Sequence, residues 1–369
     1  MDLKKITSPT LLLNKKICLN NIQQMADKAK ENKLTFRPHF KTHQSITIGN
    51  WFRKAGVAKI AVSSLQMAEY FARENWKDIT VAFPVNIREI NQINDLAEEI
   101  QLTITIENIE AFEFLNKHLK YPVQFFIKID TGYNRTGIQP NNLQLITQIL
   151  KLEKTSETLN FAGFLSHFGQ TYSAVGKEEI HLIYKDSIKQ LNNLKDTFKG
   201  DYKDLIISVG DTPSCSIIQD DFLGADEIRP GNFVFYDLMQ WKLESCSFGQ
   251  IAVCMACPVV AIHSERNEII IHGGAIHFSK ESALLNGKNI FGQLVLLDEN
   301  GWQKPEKDYF LTKISQEHGT LSVDAELIKN IKIGDPIGII PVHSCLTANL
   351  MKGLYTTDNE WIDHFSGVF

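Results

Sequence analysis

The chain has 369 residues, 43% of them apolar and 22% charged, with a formal net charge of -5. That size exceeds one small core, and the composition is that of a globular protein of two domains or one large barrel with an attachment. The mild acidity and the lack of a basic block give no reason to expect nucleic acid, and the longest apolar run, Ile251 to Ile262, is too short to span a bilayer. The N-terminus, MDLKKITSPT, lacks the apolar core of a signal peptide, which places the chain in the cytoplasm.

In chain order, short β-rich runs alternate with amphipathic ones. The spacing predicts strands over Thr35–Lys41, Lys59–Ser63, Ile79–Phe83, Thr103–Glu107, Gln124–Asp130, Phe161–His167, Leu205–Val209 and Asp226–Arg229. Helices are predicted between them, among them Ser64–Glu74, Asn108–His118 and Lys177–Phe198, with Ser64 and Asn108 as N-caps. Eight strands with helical crossovers point to an α/β fold built on a closed (β/α)8 barrel, over residues 12–240. After Trp241 the pattern changes to strand-like runs, including Glu268–His272 and Pro336–Pro341, with turns and no long helix between them. Residues 241–369, joined by residues 1–11, therefore read as a smaller antiparallel β domain. Cys254 and Cys257 form a C-x-x-C inside an apolar strand, and core packing suits them better than zinc or redox chemistry.

In such barrels reactive groups gather at the C-terminal ends of the strands. The first predicted strand ends on Lys41, within Arg37-Pro38-His39-Phe40-Lys41-Thr42-His43. A lysine desolvated there would lose its proton more readily and attack a carbonyl, as an imine with an aldehyde cofactor requires. The alternative is an ordinary solvated lysine. The loops after strands seven and eight carry Gly210, Thr212 and Ser214, then Gly231 and Tyr236, which together suggest a phosphate cradle. Glycine admits an anion to the backbone, hydroxyls donate to it, and a helix starting near Pro213 would aim free N–H groups at it. Arg135 is placed to face a ring nitrogen or to pair with Asp130, and His167 and Tyr172 to pack against a ring or relay a proton. In the β domain, His343 and Cys345 would project to one side of an extended stretch, a donor pair that suits zinc with open positions left for water or substrate. His318 is a further candidate ligand or acid/base.

Taken together, RPHFKTH, KIDTGYNRTGI, GFLSHFGQTY, SVGDTPS, EIRPGNFVFYD, QEHGTL and PVHSCLTANL resemble the D-serine dehydratase and D-threonine aldolase family, fold type III enzymes related to the alanine racemases. The resemblance implies a barrel binding pyridoxal 5'-phosphate, a β domain, a homodimer, and a divalent metal, zinc first with manganese or magnesium as alternatives. It implies Lys41 as the imine lysine, Arg135 and Tyr172 as cofactor contacts, Gly210, Thr212, Gly231 and Asn232 as phosphate loops, and His343 and Cys345 as the metal pair. His-x-Cys in place of His-x-Asp leans toward dehydration of D-serine over aldol cleavage. The activity implied is that of a lyase on small D-β-hydroxy-α-amino acids; the rivals are a racemase and a non-catalytic pyridoxal phosphate carrier. One departure stands out: His272, His277 and Lys280 occupy a stretch where the family carries an acidic Asp-x-Gly pattern.

Overall fold

A computed structural model describes residues 1–220, 222–285 and 287–367. The chain forms two compact units, one built mainly from Gln23–Lys41 and Gly49–Gly231, the other from Met1–Ile22, Thr42–Ile48 and Asn232–Ser366.

The first unit is the (β/α)8 barrel. Its strands are Thr35–Phe36, Lys59–Val62, Asp78–Pro84, Gln101–Ile106, Val123–Lys128, Leu159–Ser166, Ile206–Val209 and Glu227–Ile228. All are parallel, each pairs with its sequence neighbour from the second to the eighth, and the first pairs with the eighth. A bridge between His39 and Ala61 joins the remaining edges. The crossover helices bury one stripe each: Leu65–Arg73 buries Leu65, Met67, Ala68, Phe71 and Ala72. Ser64 and Asn108 cap their helices as predicted, accepting from the N–H of Met67 and Ala111.

The first strand is shorter than the predicted Thr35–Lys41. Pro38 has no N–H to donate, so the regular ladder stops at Phe36. The segment stays pinned all the same, because His39 donates to Pro230 O at 2.9 Å and Phe40 to Ala61 O at 2.9 Å. Phe40 itself is fully buried among Phe52, Phe71 and Trp76, with ring centroids 5.0, 5.0 and 5.2 Å away. A buried aromatic of this kind is worth about 1.5–3 kcal/mol in transfer terms alone. It anchors the chain one residue before Lys41.

Polar groups also enter the barrel unit's interior. Arg37 is held between Glu227 and Asp78, each at 2.6 Å. Glu227 accepts from Ser208 at 2.6 Å, and Arg229 donates to Ser208 Oγ at 2.7 Å and to Ser166 O at 2.8 Å.

The second unit is built on a ten-stranded, mainly antiparallel sheet. Its centre is the long strand Val253–His263, flanked by Thr10–Leu13 and Pro336–Pro341. The N-terminal segment thus joins this sheet, with Thr10 registered against Ala256. Cys254 and Cys257 are fully buried in the central strand, and burial raises both thiols well above their ordinary range. No helix among the described residues is long and apolar enough to cross a membrane.

Candidate active site

At the barrel's strand ends, His167, Tyr172, Gly210, Thr212 and Ser214 fall into two networks. In the first, His167 Nδ1 is bonded to the Gly210 carbonyl, which makes Nδ1 the donor and leaves Nε2 as acceptor in the neutral ring. Burial pushes this imidazole down to about 3, and the charges of Lys41, Arg135 and Arg229 push it the same way against the Gly210 bond. His167 is therefore neutral at physiological pH. Its ring lies 6.1 Å from that of Tyr172 and 5.8 Å from that of Tyr133. Gly210 cannot carry a side chain, since a Cβ would sit 2.8 Å from that of Arg229.

The second network surrounds the loop after strand seven. The helix Thr212–Ile217 starts one residue before Pro213, and its amides are not free as the sequence suggested. Asp211 Oδ2 accepts the Ser214 N–H at 2.7 Å, and the Tyr172 hydroxyl accepts the Thr212 N–H at 3.3 Å. Of the side chains, Thr212 Oγ1 is buried with no hydrogen-bond partner, while the Ser214 hydroxyl is turned to the Asp211 carboxyl. A hydroxyl withdrawn from water and left unsatisfied is costly, and a phosphate oxygen would satisfy it.

Two expectations about charge need correction. Lys41 lies exposed in a turn, so burial is not what would make its amine reactive. The buried lysine is Lys128, which burial and then the charge of Arg135 push down to about 8. Arg135 is exposed and not paired with Asp130; its guanidinium stacks on the Tyr133 ring at 4.8 Å, while Asp130 Oδ1 accepts from the N–H of Gly132 and Asn134.

In the other unit, His343 and Cys345 are indeed neighbours, for a different reason than strand alternation. The stretch turns into the helix Ser344–Met351, with His343 at its N-cap. The imidazole and the sulfur are hydrogen-bonded to each other, and Thr42 Oγ1 lies 3.2 Å from the sulfur. His343 Nδ1 meets Glu281 Oε2 at 2.9 Å. Burial would lower this histidine, but the charges of Cys345, Glu281 and Asp237 outweigh it and push it up to about 11. Asp237 organises the base of the site: its Oδ2 accepts from Ser344 N–H at 2.9 Å and from Asn232 Nδ2 at 2.6 Å. Asn232 Nδ2 also reaches Ser344 Oγ at 3.0 Å and Cys345 Sγ at 3.5 Å. Asn232 thus belongs to the network beneath His343 and Cys345. Tyr236, buried, holds a left-handed φ of 49°. Gly231 lies just before Asn232, part-buried. His318 is exposed on its strand, 3.4 Å from Ser315 Oγ and registered against His272, apart from this network's contacts.

Sequence reasoning missed Glu281, Asp237, Thr42 and Lys128. The first three reveal themselves only through contacts between distant segments; Lys128 was within sight, two residues before Asp130 in KIDTGYNRTG.

A parallel barrel with polar strand ends, joined to an antiparallel β unit carrying an imidazole–thiol pair, defines a two-unit enzyme of the alanine racemase kind. The chain belongs to the family described as alanine racemase, N-terminal domain, which matches residues 15–238, and a putative serine dehydratase domain matches residues 252–357. It is 29% identical to the D-serine dehydratase of Dictyostelium discoideum, over 97% of this chain and 95% of that one. The D-threo-3-hydroxyaspartate dehydratase of Delftia sp. HT23 superposes with a TM-score of 0.90 at 21% identity, covering 99% of both chains. The D-threonine aldolase of Filomicrobium marinum superposes with a TM-score of 0.82 at 18% identity, covering 98% of this chain and 95% of that one.

Proposed function

We propose that the chain is a pyridoxal-phosphate- and metal-dependent lyase that dehydrates D-configured β-hydroxy-α-amino acids to a 2-oxo acid and ammonia, with D-serine as the first candidate. The observation that carries this reading is the His343–Cys345 pair with Glu281 behind it. A racemase moves only the α-proton and has no use for such donors. A dehydratase must also expel hydroxide, and that step calls for an acid. A cysteine variant of the Delftia dehydratase has been solved in a metal-free form, which supports metal use by that relative.

The donor sets fit both groups. Thr212 Oγ1, buried and unsatisfied, would help hold the cofactor's phosphate, with Ser214 beside it. Asn232, Gly231 and Tyr236 are the further phosphate-loop candidates. His343 and Cys345 would hold the metal, zinc first because imidazole and thiolate are its preferred donors. The cofactor when bound supplies an electron sink for the charge left at the α-carbon, and the metal a Lewis acid for the β-hydroxyl.

The chain's own residues do the rest. Lys41 would supply the amine that holds the cofactor's aldehyde, and its free amine would serve as the base for the substrate's α-proton. Neutral His167, fixed by Gly210, presents Nε2 as a hydrogen-bond acceptor without adding charge. Tyr172 contacts the cofactor while its hydroxyl orders the Thr212 amide. Arg135, steadied on the Tyr133 ring, would offer a positive charge to the cofactor's ring nitrogen and so disfavour its protonation. Glu281, bonded to His343 Nδ1, would leave Nε2 as the ring's donor to a metal. His318 remains an acid/base candidate on its exposed strand. The working assembly is a homodimer.

The test is a panel of D-serine, D-threonine and D-threo-3-hydroxyaspartate, scoring ammonia and aldehyde separately before and after treatment with a chelator. Ammonia without aldehyde, lost on chelation and restored by zinc, is the expected result. Turnover indifferent to the chelator, or racemisation of alanine in its place, would overturn the reading.

A further inference from the structure

The strand Glu268–His272 ends at a tight turn that leads into the helix Ala275–Phe278. That turn is stitched to the segment Ser315–Glu317 by three backbone bonds: Gly273 N–H to Glu317 O at 2.8 Å, Ala275 N–H to Ser315 O at 2.7 Å, and Ile276 N–H to Gln316 O at 3.3 Å. Gly273 and Gly274 make this close packing possible. A Cβ on Gly274 would collide with the Ser315 carbonyl, and one on Gly273 would lie 2.7 Å from Cys257 Sγ. The two segments therefore hold His272, His277 and Glu317 in a fixed relation.

Their ligand atoms all lie within 4.8 Å of one another. His272 Nε2 and Glu317 Oε2 are 3.7 Å apart, too far to hydrogen-bond. That separation is nevertheless shorter than twice the metal–ligand distance of about 2.0–2.2 Å at zinc. Tetrahedral ligation at about 2.0–2.2 Å sets neighbouring ligand atoms about 3.3–3.6 Å apart; the His272–Glu317 pair is already near that spacing, and the other pairs, within 4.8 Å, close by rotation of half-exposed side chains. The geometry points to a second divalent-cation site, of the zinc class, formed by His272, His277 and Glu317 and separate from the His343–Cys345 pair. Burial lowers His277, opposed by Glu317 and helped by His272. Ligation costs the part-buried contact of His277 Nδ1 with the Gly274 N–H at 3.1 Å, which a metal–nitrogen bond outweighs. An ion here would clamp the segment that runs on to Glu281, the partner of His343. The site stands on its own residues and does not depend on the lyase reading.

The experiment is zinc titration of the full chain after chelator stripping, with cobalt(II) absorption as a second readout. Only the Cys345 site can give thiolate-to-metal charge transfer in the near ultraviolet, so the two sites are told apart spectroscopically. Wild type is expected to take up a second equivalent without that band. His277→Ala, His272→Gln and Glu317→Gln should each lose this equivalent, while Cys345→Ser keeps it and loses the band. If the band is absent in wild type but the His277-dependent equivalent is present, the lyase reading loses its metal pair and this site stands. Unchanged zinc uptake in His277→Ala and in His272→Gln would overturn the site. Thermal melts of the stripped variants check that the fold is intact, and the conservative Glu317→Gln keeps the test decisive if either histidine variant is unstable.

Discussion

The barrel's strand ends and the β unit's imidazole–thiol corner carry opposite electrostatic bias. In the barrel, burial followed by neighbouring charge pulls Lys128 down to about 8 and His167 to about 3, while burial takes Arg229 to about 10 even with Glu227 opposing it. Burial leads these shifts, and the charges of Arg135, Lys41 and Arg229 add to it at Lys128 and His167, so an arriving anion would relieve them. In the β unit, His343 is driven up to about 11 by Cys345, Glu281 and Asp237 although burial works against it. Electron-pair donors are crowded there, so an arriving cation is stabilised. The sign of the local excess tells which ligand each place would take: phosphate and carboxylate at the first, a metal ion at the second.

The largest effect should come from breaking the barrel's own compensation. Arg37, 6% exposed, neutralises Asp78 and Glu227 at 2.6 Å each. Arg37→Met leaves Glu227 buried with only the Ser208 hydroxyl and Asp78 with only the half-exposed Lys59, and urea unfolding should show a loss of about 3–5 kcal/mol. A loss below about 1 kcal/mol would mean that solvent already screens the barrel's interior charges, and the contrast would fail on its barrel side.

Glu281→Gln sharpens the other side. The amide keeps the size but weakens the hold on His343, so zinc affinity in chelator competition should fall about 10–100-fold. The urea midpoint should scarcely move, because Glu281 is half-exposed. An affinity within a factor of about 2 of wild type would remove Glu281 from the site.

The smallest effect concerns the cradle loop. Burial raises Asp211 from 3.8 to about 6, against the bonds it receives from Ser214 and Thr171. A carboxyl whose folded pKa is raised keeps a proton that the unfolded chain has already released. Its stabilising contribution is full below 3.8 and is lost as the pH rises through about 6. Asp211→Asn retains an oxygen to cap Ser214 but has no charge to desolvate. The stability difference between variant and wild type should therefore shift in the variant's favour as the pH rises from 4 to 7. A difference that stays flat across that range would contradict the desolvation argument.

The barrel was legible because its signals are local and periodic. All eight predicted strands are present, and the caps at Ser64 and Asn108 bond as anticipated. What misled was local chemistry settled by distant partners. The stretch after Pro341 looked extended, yet it turns helical at Ser344, where Asp237, 107 residues away in sequence, takes the first amide. His343 and Cys345 still meet, and the partner that orients His343 lies 62 residues back at Glu281, beyond the reach of any short motif. The loop at Thr212 was read as a source of free amides, but Asp211 and Tyr172 occupy them and leave the Thr212 hydroxyl unsatisfied. Lys41 was given a buried environment from its apolar neighbours; Phe40 takes that burial and Lys41 faces outward.

The central claim is that Lys41 is the residue that carries the cofactor, and one measurement addresses it directly. The purified chain, reconstituted with pyridoxal 5'-phosphate, is reduced with borohydride, digested and sequenced by mass spectrometry. The account predicts a phosphopyridoxyl adduct on the peptide containing Lys41. Its absence, or its appearance on Lys128, the buried lysine with the depressed pKa, would contradict it.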